Sequence, residues 1–305
     1  MRADRGHAYA VGRQRLLGHL AALTFAALIA GSFSIGHLAI PYITPLALNA
    51  VRFVLATSVM LGVYLAVFRQ RPPLPPAIWR YVILGGLMAT YLVLMFVALR
   101  ISTPIATGAV FTLTPLMSAG FGWLFLRQTT GPVVMISLLA AACGAIWVIF
   151  RGDIDAMIRL EIGTGEAIFL VGCAAHAAYA PLVRKFNRGE PVVYFSLVTL
   201  ASSTIWVSVV GIGDIPRTEW TALPSIVWIA VAYLAVFATA GTFFLIQFAS
   251  VRLPASKVLS YGYLIPAFVI AIEGLLGHGW VSFSTLAGAA ITAAALLIMA
   301  LAPDR

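Results

Sequence analysis

The chain has 305 residues, of which 62% are hydrophobic and 10% are charged, and its mean hydropathy is +1.01. An ordinary soluble domain carries about 25% charged residues, so this composition excludes a water-soluble globule and predicts an integral membrane protein. The net charge of +9 would suggest nucleic-acid binding in a soluble protein, but here the location of the basic residues decides its meaning.

Ten segments are apolar enough, and close enough to about 20 residues, to cross a hydrocarbon core ~30 Å thick. In chain order they are residues 17–39, 46–68, 79–100, 104–126, 130–150, 164–183, 191–212, 225–248, 255–277 and 280–302. The first lacks a small-residue cleavage site, so we expect a retained helix rather than a removable signal peptide. Residues 1–16 then form a basic cytoplasmic tail, residues 151–163 a connecting loop on the opposite face, and residues 303–305 a cytoplasmic C-terminus.

The basic residues test the orientation, because cytoplasmic loops are enriched in Lys and Arg. With a cytoplasmic N-terminus, that face receives Arg2, Arg5, Arg13, Arg15, Arg69, Arg71, Arg80, Arg127, Arg184, Lys185, Arg188, Arg252, Lys257 and Arg305. The opposite face receives only Arg100, Arg151, Arg159 and Arg217, and Arg52 lies within a span. Both termini are therefore predicted to be cytoplasmic. We therefore interpret the excess of basic residues as a consequence of the membrane topology and of attraction to anionic lipid headgroups, and we expect no nucleic-acid partner.

The second half of the chain resembles the first at an offset of 151 residues. This offset places Pro115 on Pro266, each in the middle of a span, and Ala98 on Ala249. Because five spans are an odd number, the second half enters the membrane from the opposite side. The sequence therefore predicts an all-α polytopic membrane protein with ten transmembrane helices, arranged as two inverted five-helix repeats at residues 17–150 and 164–302. Inverted repeats of this kind recur in secondary transporters.

Several short motifs are distributed over both halves. They are Asn49-Ala50-Val51-Arg52-Phe53, Ala98-Leu99, Thr114-Pro115-Leu116, Trp123-Leu124-Phe125-Leu126, Gly144, Leu253-Pro254-Ala255-Ser256, Tyr263-Leu264-Ile265-Pro266 and Gly288. Together they resemble the EamA-type permeases of the drug/metabolite transporter superfamily. The chain departs from the family pattern at Gln128, where many members carry glutamate, at its repeat equivalent Gly279, and at Ala30-Gly31, where Trp-Gly is common.

The resemblance implies a secondary transporter in which one half rocks against the other around a central cavity. Many relatives export amino acids and related metabolites, and that similarity alone favours efflux over uptake. The scarcity of buried charge favours neutral or zwitterionic solutes. A membrane-embedded enzyme would need several convergent acids, bases or metal ligands, so we expect no catalytic residues, metal or cofactor. A sensor without flux is the remaining alternative. We expect a bacterial inner-membrane location.

Two prolines carry the first functional hypothesis. Pro115 and Pro266 each deprive the carbonyl four residues earlier, that of Phe111 or Gly262, of its helical donor. In one interpretation, the freed carbonyls face a cavity and bind substrate or water. In the other, the proline kinks only allow the helices to pack.

Charged and aromatic side chains within the spans supply the other candidates. Glu273 either pairs with Arg52, or both extend separately to the membrane interface. His176 either titrates, which leaves proton coupling open, or makes a neutral helix contact. The aromatic residues that could line a substrate cavity, or merely pack, are Tyr91, Phe111, Trp123, Tyr179, Tyr261 and Tyr263.

Overall fold

The computed structural model describes residues 12–128, 131–149, 154–155, 162–280 and 283–301, and it contains helices and no strand over those ranges. The helices are α1 (Gly12–Ala39), α2 (Pro45–Phe68), α3 (Trp79–Leu99), α4 (Pro104–Phe111 and Thr114–Leu126), α5 (Pro132–Ile149), α6 (Thr164–Phe186), α7 (Val192–Val210), α8 (Ser225–Ala235, Val236–Gly241 and Thr242–Ser250), α9 (Ala255–Ser260, Tyr261–Leu264 and Ile265–Leu275) and α10 (Phe283–Leu301). A single 3-10 turn, Trp220–Ala222, lies between α7 and α8. Residues 1–11 of the expected tail, most of the loop at 151–163 and the C-terminus at 303–305 lie outside the described residues.

The ten-helix fold expected from the sequence is confirmed. Eight helices of the described chain are long and apolar enough to cross a membrane, and α5 and α10 contain the shorter apolar stretches Pro132–Gly144 and Leu286–Ala295. The chain is therefore an integral membrane protein.

Local sequence signals fix several helix ends. Thr44 and Thr103 cap α2 and α4, because each hydroxyl accepts a hydrogen bond from the amide three residues later and a proline follows at the first helical position. At the other ends, α2 and α4 stop at Arg69 and Arg127, whose φ values of 53° and 56° are left-handed. Each cap satisfies backbone groups that the helix itself leaves unpaired.

Helices of one half pack mainly on helices of the other. Equivalent helices meet as pairs, α2 with α7, α4 with α9 and α5 with α10. In addition, α3 packs on α6 and α7, while its repeat equivalent α8 packs on α1 and α2. Each contact from a helix of the first half to the second half thus has a counterpart between the equivalent helices. This symmetry is expected of two inverted repeats.

The antiparallel pair α3 and α6 is held at both ends. A Cβ added to Gly165 would lie only 2.7 Å from the Ser102 Cβ, so glycine permits close approach there. At the same end Ser102 Oγ donates to Glu166 Oε1 at 2.6 Å. At the opposite end Arg80 Nη2 donates to Glu190 Oε1 at 2.8 Å. Polar contacts between the two halves therefore close both ends of the pair.

Three helices are interrupted part-way along their length. The interruptions of α4, between Phe111 and Thr114, and of α9, at the 3-10 turn Tyr261–Leu264, precede Pro115 and Pro266, where the sequence predicts kinks. The third is a π-helical segment in α8, Val236–Gly241, which the sequence analysis did not predict. Segments of this kind are frequent at functional sites.

Candidate functional site

The carbonyls freed by the two prolines have donors from their own segments. Thr114 Oγ1 donates to the Phe111 carbonyl at 2.5 Å, and the Ile265 amide donates to the Gly262 carbonyl. Each carbonyl therefore has one local partner in this conformation. Because a carbonyl oxygen can accept a second hydrogen bond, the binding of substrate or water there stays a prediction. What the breaks do create is a close contact: a Cβ added to Gly262 would lie 3.0 Å from Phe111 Cε1.

An aromatic enclosure surrounds His176 in the middle of α6. The ring centroids of Tyr91 and Phe111 lie 4.5 Å and 5.1 Å from that of His176, and Phe25 stacks on it at 6.0 Å. Tyr179 is the fourth neighbour, at 6.5 Å. The structure thus brings together His176, Tyr91, Phe111 and Tyr179, four of the residues that the sequence analysis selected.

Three buried polar atoms within this enclosure have no hydrogen-bond partner. Both ring nitrogens of His176 and the Tyr91 hydroxyl are buried and unpartnered. The Tyr179 hydroxyl, by contrast, accepts a hydrogen bond from Gln247 Nε2 at 3.0 Å, and Gln247 Oε1 accepts one from Ser196 Oγ at 2.8 Å. Since buried polar groups are nearly always partnered in folded proteins, these unpartnered atoms are unusual and make the enclosure a candidate site.

Arg52 reaches from α2 to the π segment of α8. Its Nε donates to Thr239 Oγ1 at 2.9 Å and its Nη2 donates to the Ala238 carbonyl at 3.3 Å. The guanidinium carbon also lies 5.3 Å from the centre of the Phe96 ring. Arg52 has no exposed surface and its Nη1 is unpartnered. The π segment therefore supplies neutral acceptors to a buried cation.

The Arg52 and His176 regions are connected through Tyr91. The Arg52 guanidinium lies 5.3 Å from the Phe96 ring of α3, and Asn49, three residues before Arg52, donates to the carbonyl of Leu92, the residue after Tyr91. Tyr91 in turn contacts His176, with 4.5 Å between the ring centroids. We call Arg52, Thr239, Tyr91 and His176 the central polar cluster. It draws on α2 and α3 from the first half and on α6 and α8 from the second. Over the described ranges no three His, Cys, Asp or Glu side chains come together in a metal-binding group.

Comparison with known proteins supports the two-repeat architecture. The EamA-like transporter family matches residues 16–150 and, a second time, residues 163–301. The chain belongs to the EamA-like transporter family. The resemblance stated from the motifs is thereby confirmed, and the protein is a membrane transporter of the drug/metabolite type.

Individual proteins agree with this membership. A Bacillus subtilis (strain 168) protein named uncharacterized transporter YyaM is 24% identical over 260 residues, which are 84% of each chain. A solved crystal structure superposes with a TM-score of 0.68 at 18% identity, covering 94% of this chain and 96% of the other. At that identity the superposition shows a shared fold alone.

In this EamA-like transporter, Arg52 and Glu273 have separate partners, so the pair considered from the sequence does not form. The Glu273 carboxylate contacts His278 Nδ1 at 2.7 Å. Arg52 is fully buried and does not extend to the interface either, because α8 encloses its guanidinium. Glu273 itself lies two residues before the end of α9, and its other oxygen, Oε1, is buried without a partner.

Several other candidates lie away from the central polar cluster. Trp123 is 59% exposed on the outer surface of α4. The hydroxyl of Tyr261 lies 3.0 Å from His19 Nδ1, between α1 and α9. Tyr263 donates to the Leu138 carbonyl of α5 at 3.4 Å and belongs to a small separate core. Pro115 and Pro266 are buried in the breaks of α4 and α9, near the enclosure rather than in it.

Sequence reasoning missed Thr239 and Gln247, which bind Arg52 and Tyr179. Thr239 lies in a run of small residues, Ala238–Thr242, and such runs favour close helix approach. This run was the available signal. Nothing in the local sequence indicated that the helix would adopt a π geometry there.

Proposed function

We propose that the protein is a secondary exporter of small neutral or zwitterionic organic metabolites, amino acids among them. Its two inverted repeats alternate access to a central site that includes the central polar cluster, and the solute's own gradient or a proton gradient drives transport. We further propose that it lies in a bacterial inner membrane with both termini cytoplasmic.

The observation that carries this proposal is the set of buried, unpartnered polar atoms where the two halves meet. The Tyr91 hydroxyl comes from α3 of the first half, and the His176 nitrogens come from α6 of the second. Leaving such groups unpaired costs about 1–3 kcal/mol each. A solute or water that enters during the transport cycle would supply the missing partners and recover that free energy.

The closure of the α3–α6 pair supports alternating access. Ser102 and Glu166 are bonded at one end of this pair, and Arg80 and Glu190 at the other. Because His176 and Tyr91 have no exposed surface between these closures, a solute reaches them only when helices around one end separate. A cycle that opens one end at a time is the mechanism typical of inverted-repeat transporters.

Counterflow in proteoliposomes tests the proposal. Vesicles containing the purified protein are loaded with one unlabelled amino acid, and accumulation of the same radiolabelled amino acid is followed for each member of a panel. We expect transient accumulation of at least one solute, and a several-fold lower rate in Tyr91→Phe, which removes an unpartnered hydroxyl. Tyr42→Phe is the matched control, because Tyr42 is 55% exposed outside the helices.

Two results would contradict the proposal. Absence of counterflow for every amino acid and every small neutral solute of the panel would reject transport of this solute class. Equal transport rates for Tyr91→Phe and Tyr42→Phe would show that the Tyr91 hydroxyl of the central polar cluster does not contribute to transport. Direction is tested separately in cells preloaded with the solute, where an exporter accelerates its loss.

A further inference from the structure

Arg52 is a buried cation without an anionic partner. In the part of the chain that the structure describes, no carboxylate forms an ion pair with it, and its two hydrogen-bond acceptors, Thr239 Oγ1 and the Ala238 carbonyl, are uncharged. An arginine side chain does not lose its proton in proteins. Its burial within a membrane span is therefore costly until a negative charge approaches.

One nitrogen of the buried guanidinium has no hydrogen-bond partner. Thr239 and Ala238 occupy Nε and Nη2, whereas Nη1 is buried without a partner. A carboxylate binds an arginine through two parallel hydrogen bonds at adjacent nitrogens, which gives both strength and a fixed orientation. Nη1, together with the second hydrogen of Nη2, provides such a pair of donors. The contacts with α8 hold the side chain in position for it.

The surroundings of Arg52 indicate where the remainder of such a ligand lies. Tyr91 lies on α3, the helix whose Phe96 ring contacts the guanidinium, and the Tyr91 hydroxyl is unpartnered. Beyond it, the rings of Phe111 and His176 lie 5.7 Å and 4.5 Å from the Tyr91 ring. An organic body attached to the carboxylate would contact these aromatic faces. An ammonium group on the same solute could contact the faces of these rings through cation–π interactions. No acidic side chain of the described core lies among the rings to bind the ammonium group instead.

We propose that Arg52 receives the carboxylate of the transported solute, so that the solutes are amino acids and other small metabolites with one carboxylate, and not the neutral metabolites that the proposed function also allows or analogues in which an amide replaces the carboxylate. This inference rests on the proposed function, because it assigns one end of the solute to a residue of the same site. The fixed arginine supplies the positive charge, and the solute supplies the negative charge that this part of the protein lacks.

Paired ligands provide the test. The full-length protein in detergent is heated with each amino acid, with the corresponding amino-acid amide, and with phenylacetate against phenylacetamide, and the Tm is measured over a range of concentrations. We expect one or more carboxylates to raise the Tm, and their amides to bind about 10- to 100-fold more weakly because the charge-assisted hydrogen bonds are lost. This comparison uses the wild-type protein and therefore does not depend on whether a variant folds.

Variants then locate the site. Arg52→Gln should reduce the affinity for the acid to that for the amide, and Arg52→Lys should recover only part of it, because an ammonium group cannot form the paired contact. Arg217→Gln is the control, because Arg217 is an exposed loop arginine. Equal binding of acids and amides, no binding of any acid in the panel, or an unchanged acid preference in Arg52→Gln would each overturn the inference. Binding of acids without counterflow would instead contradict the proposed transport and leave the assignment of Arg52 intact.

Discussion

The Phe111 ring lies against Gly262, and these two residues occupy equivalent positions in the two repeats. Each stands four residues before the proline of its broken helix, Pro115 or Pro266. A Cβ at Gly262 would lie 3.0 Å from Phe111 Cε1 and 3.4 Å from Cδ1. The large ring of one repeat therefore occupies the space that the glycine of the other leaves open. The two helix breaks meet at this contact.

Gly262→Ala should lower the Tm of the purified protein and reduce counterflow. The added methyl group requires the Phe111 ring to shift by a few tenths of an ångström, and overpacking of this kind costs about 1–3 kcal/mol. Phe111→Leu in the same chain should recover part of the stability. Gly120→Ala in α4 is the control, because no atom lies within 4 Å of its added Cβ. A Tm for Gly262→Ala equal to that of the control would show that the contact is loose.

Pro115→Ala and Pro266→Ala should each reduce transport more than they reduce expression. Alanine restores an amide that competes with Thr114 Oγ1 for the Phe111 carbonyl in α4, and alanine at 266 likewise offers a helical donor to the Gly262 carbonyl in α9. Straighter helices would then displace the Phe111–Gly262 contact. Pro216→Ala, in an exposed loop, is the control. Unchanged flux in both single variants and in the double variant would show that the two prolines contribute to helix packing and not to transport.

Glu273→Gln and His278→Ala should each lower the Tm of the purified protein. Each change weakens or removes the contact between the Glu273 carboxylate and His278 Nδ1 at 2.7 Å, and we expect a loss of about 0.5–1.5 kcal/mol. The double variant should lose less than the sum of the two single losses, because the two side chains share one contact. Additive losses would show that the two residues stabilise the protein independently.

Glu190→Gln should destabilise the closed end formed with Arg80. Although burial opposes ionisation, the Arg188 amide and the Arg80 guanidinium hold the pKa of Glu190 below its ordinary value. A lowered pKa in the folded state stabilises the protein above the ordinary pKa, near 4.5, and this stabilisation is lost as the pH falls through the lower value. At pH 7 we expect a loss of about 1 kcal/mol, because Gln keeps a neutral hydrogen bond to Arg80 and only the contribution of the charge, screened by solvent, is lost.

The pH series distinguishes this pair from general effects of substitution. The difference in Tm between wild type and Glu190→Gln should shrink as the pH is lowered below about 4.5, because the wild-type carboxyl becomes protonated. Arg188→Gln is the control, since Glu190 binds the Arg188 amide and not its side chain. A constant difference at all pH values would argue against an ionic contribution.

Cysteine accessibility should place the two loops that flank α7 on opposite faces of the membrane. In a background without Cys143 and Cys173, Arg188→Cys should react with a membrane-impermeant maleimide only from the cytoplasm, and Gly213→Cys only from outside. Both positions are exposed. Labelling of Gly213→Cys from the cytoplasm alone would reverse the predicted topology.

The spans were predictable because membrane thickness and hydropathy restrict the length of every helix. The predicted span 79–100 and the observed helix Trp79–Leu99 differ by one residue, and the breaks at Pro115 and Pro266 follow from proline chemistry. The partners of Arg52 were not predictable. Which helix faces Arg52 depends on packing between residues 187 positions apart, and the acceptor Thr239 is presented by a π turn without a local sequence signal.

Part of the site was predictable for a related reason. His176 and Tyr179 share one helix, so their proximity follows from their spacing. Tyr91 and Phe111 were selected only as aromatic residues in spans, and their convergence on His176 required knowledge of how α3, α4 and α6 pack together. The contact between Glu273 and His278 was missed because it depends on how the loop after α9 folds back.

The interleaved packing of the two halves has a consequence for biosynthesis. Because α3 packs on α6 and α7, and α2 on α7, most interhelical contacts of the first repeat cannot form until the second repeat has been made. During translation, α1 to α5 would enter the bilayer as individually stable helices without a bundle of their own. Assembly would follow insertion of the second repeat, in which α8 supplies the acceptors for Arg52, and α8 and α9 together supply the partners of α1. A chain that stops at residue 150 should therefore insert and be degraded, whereas separate expression of both repeats in one cell should rescue it.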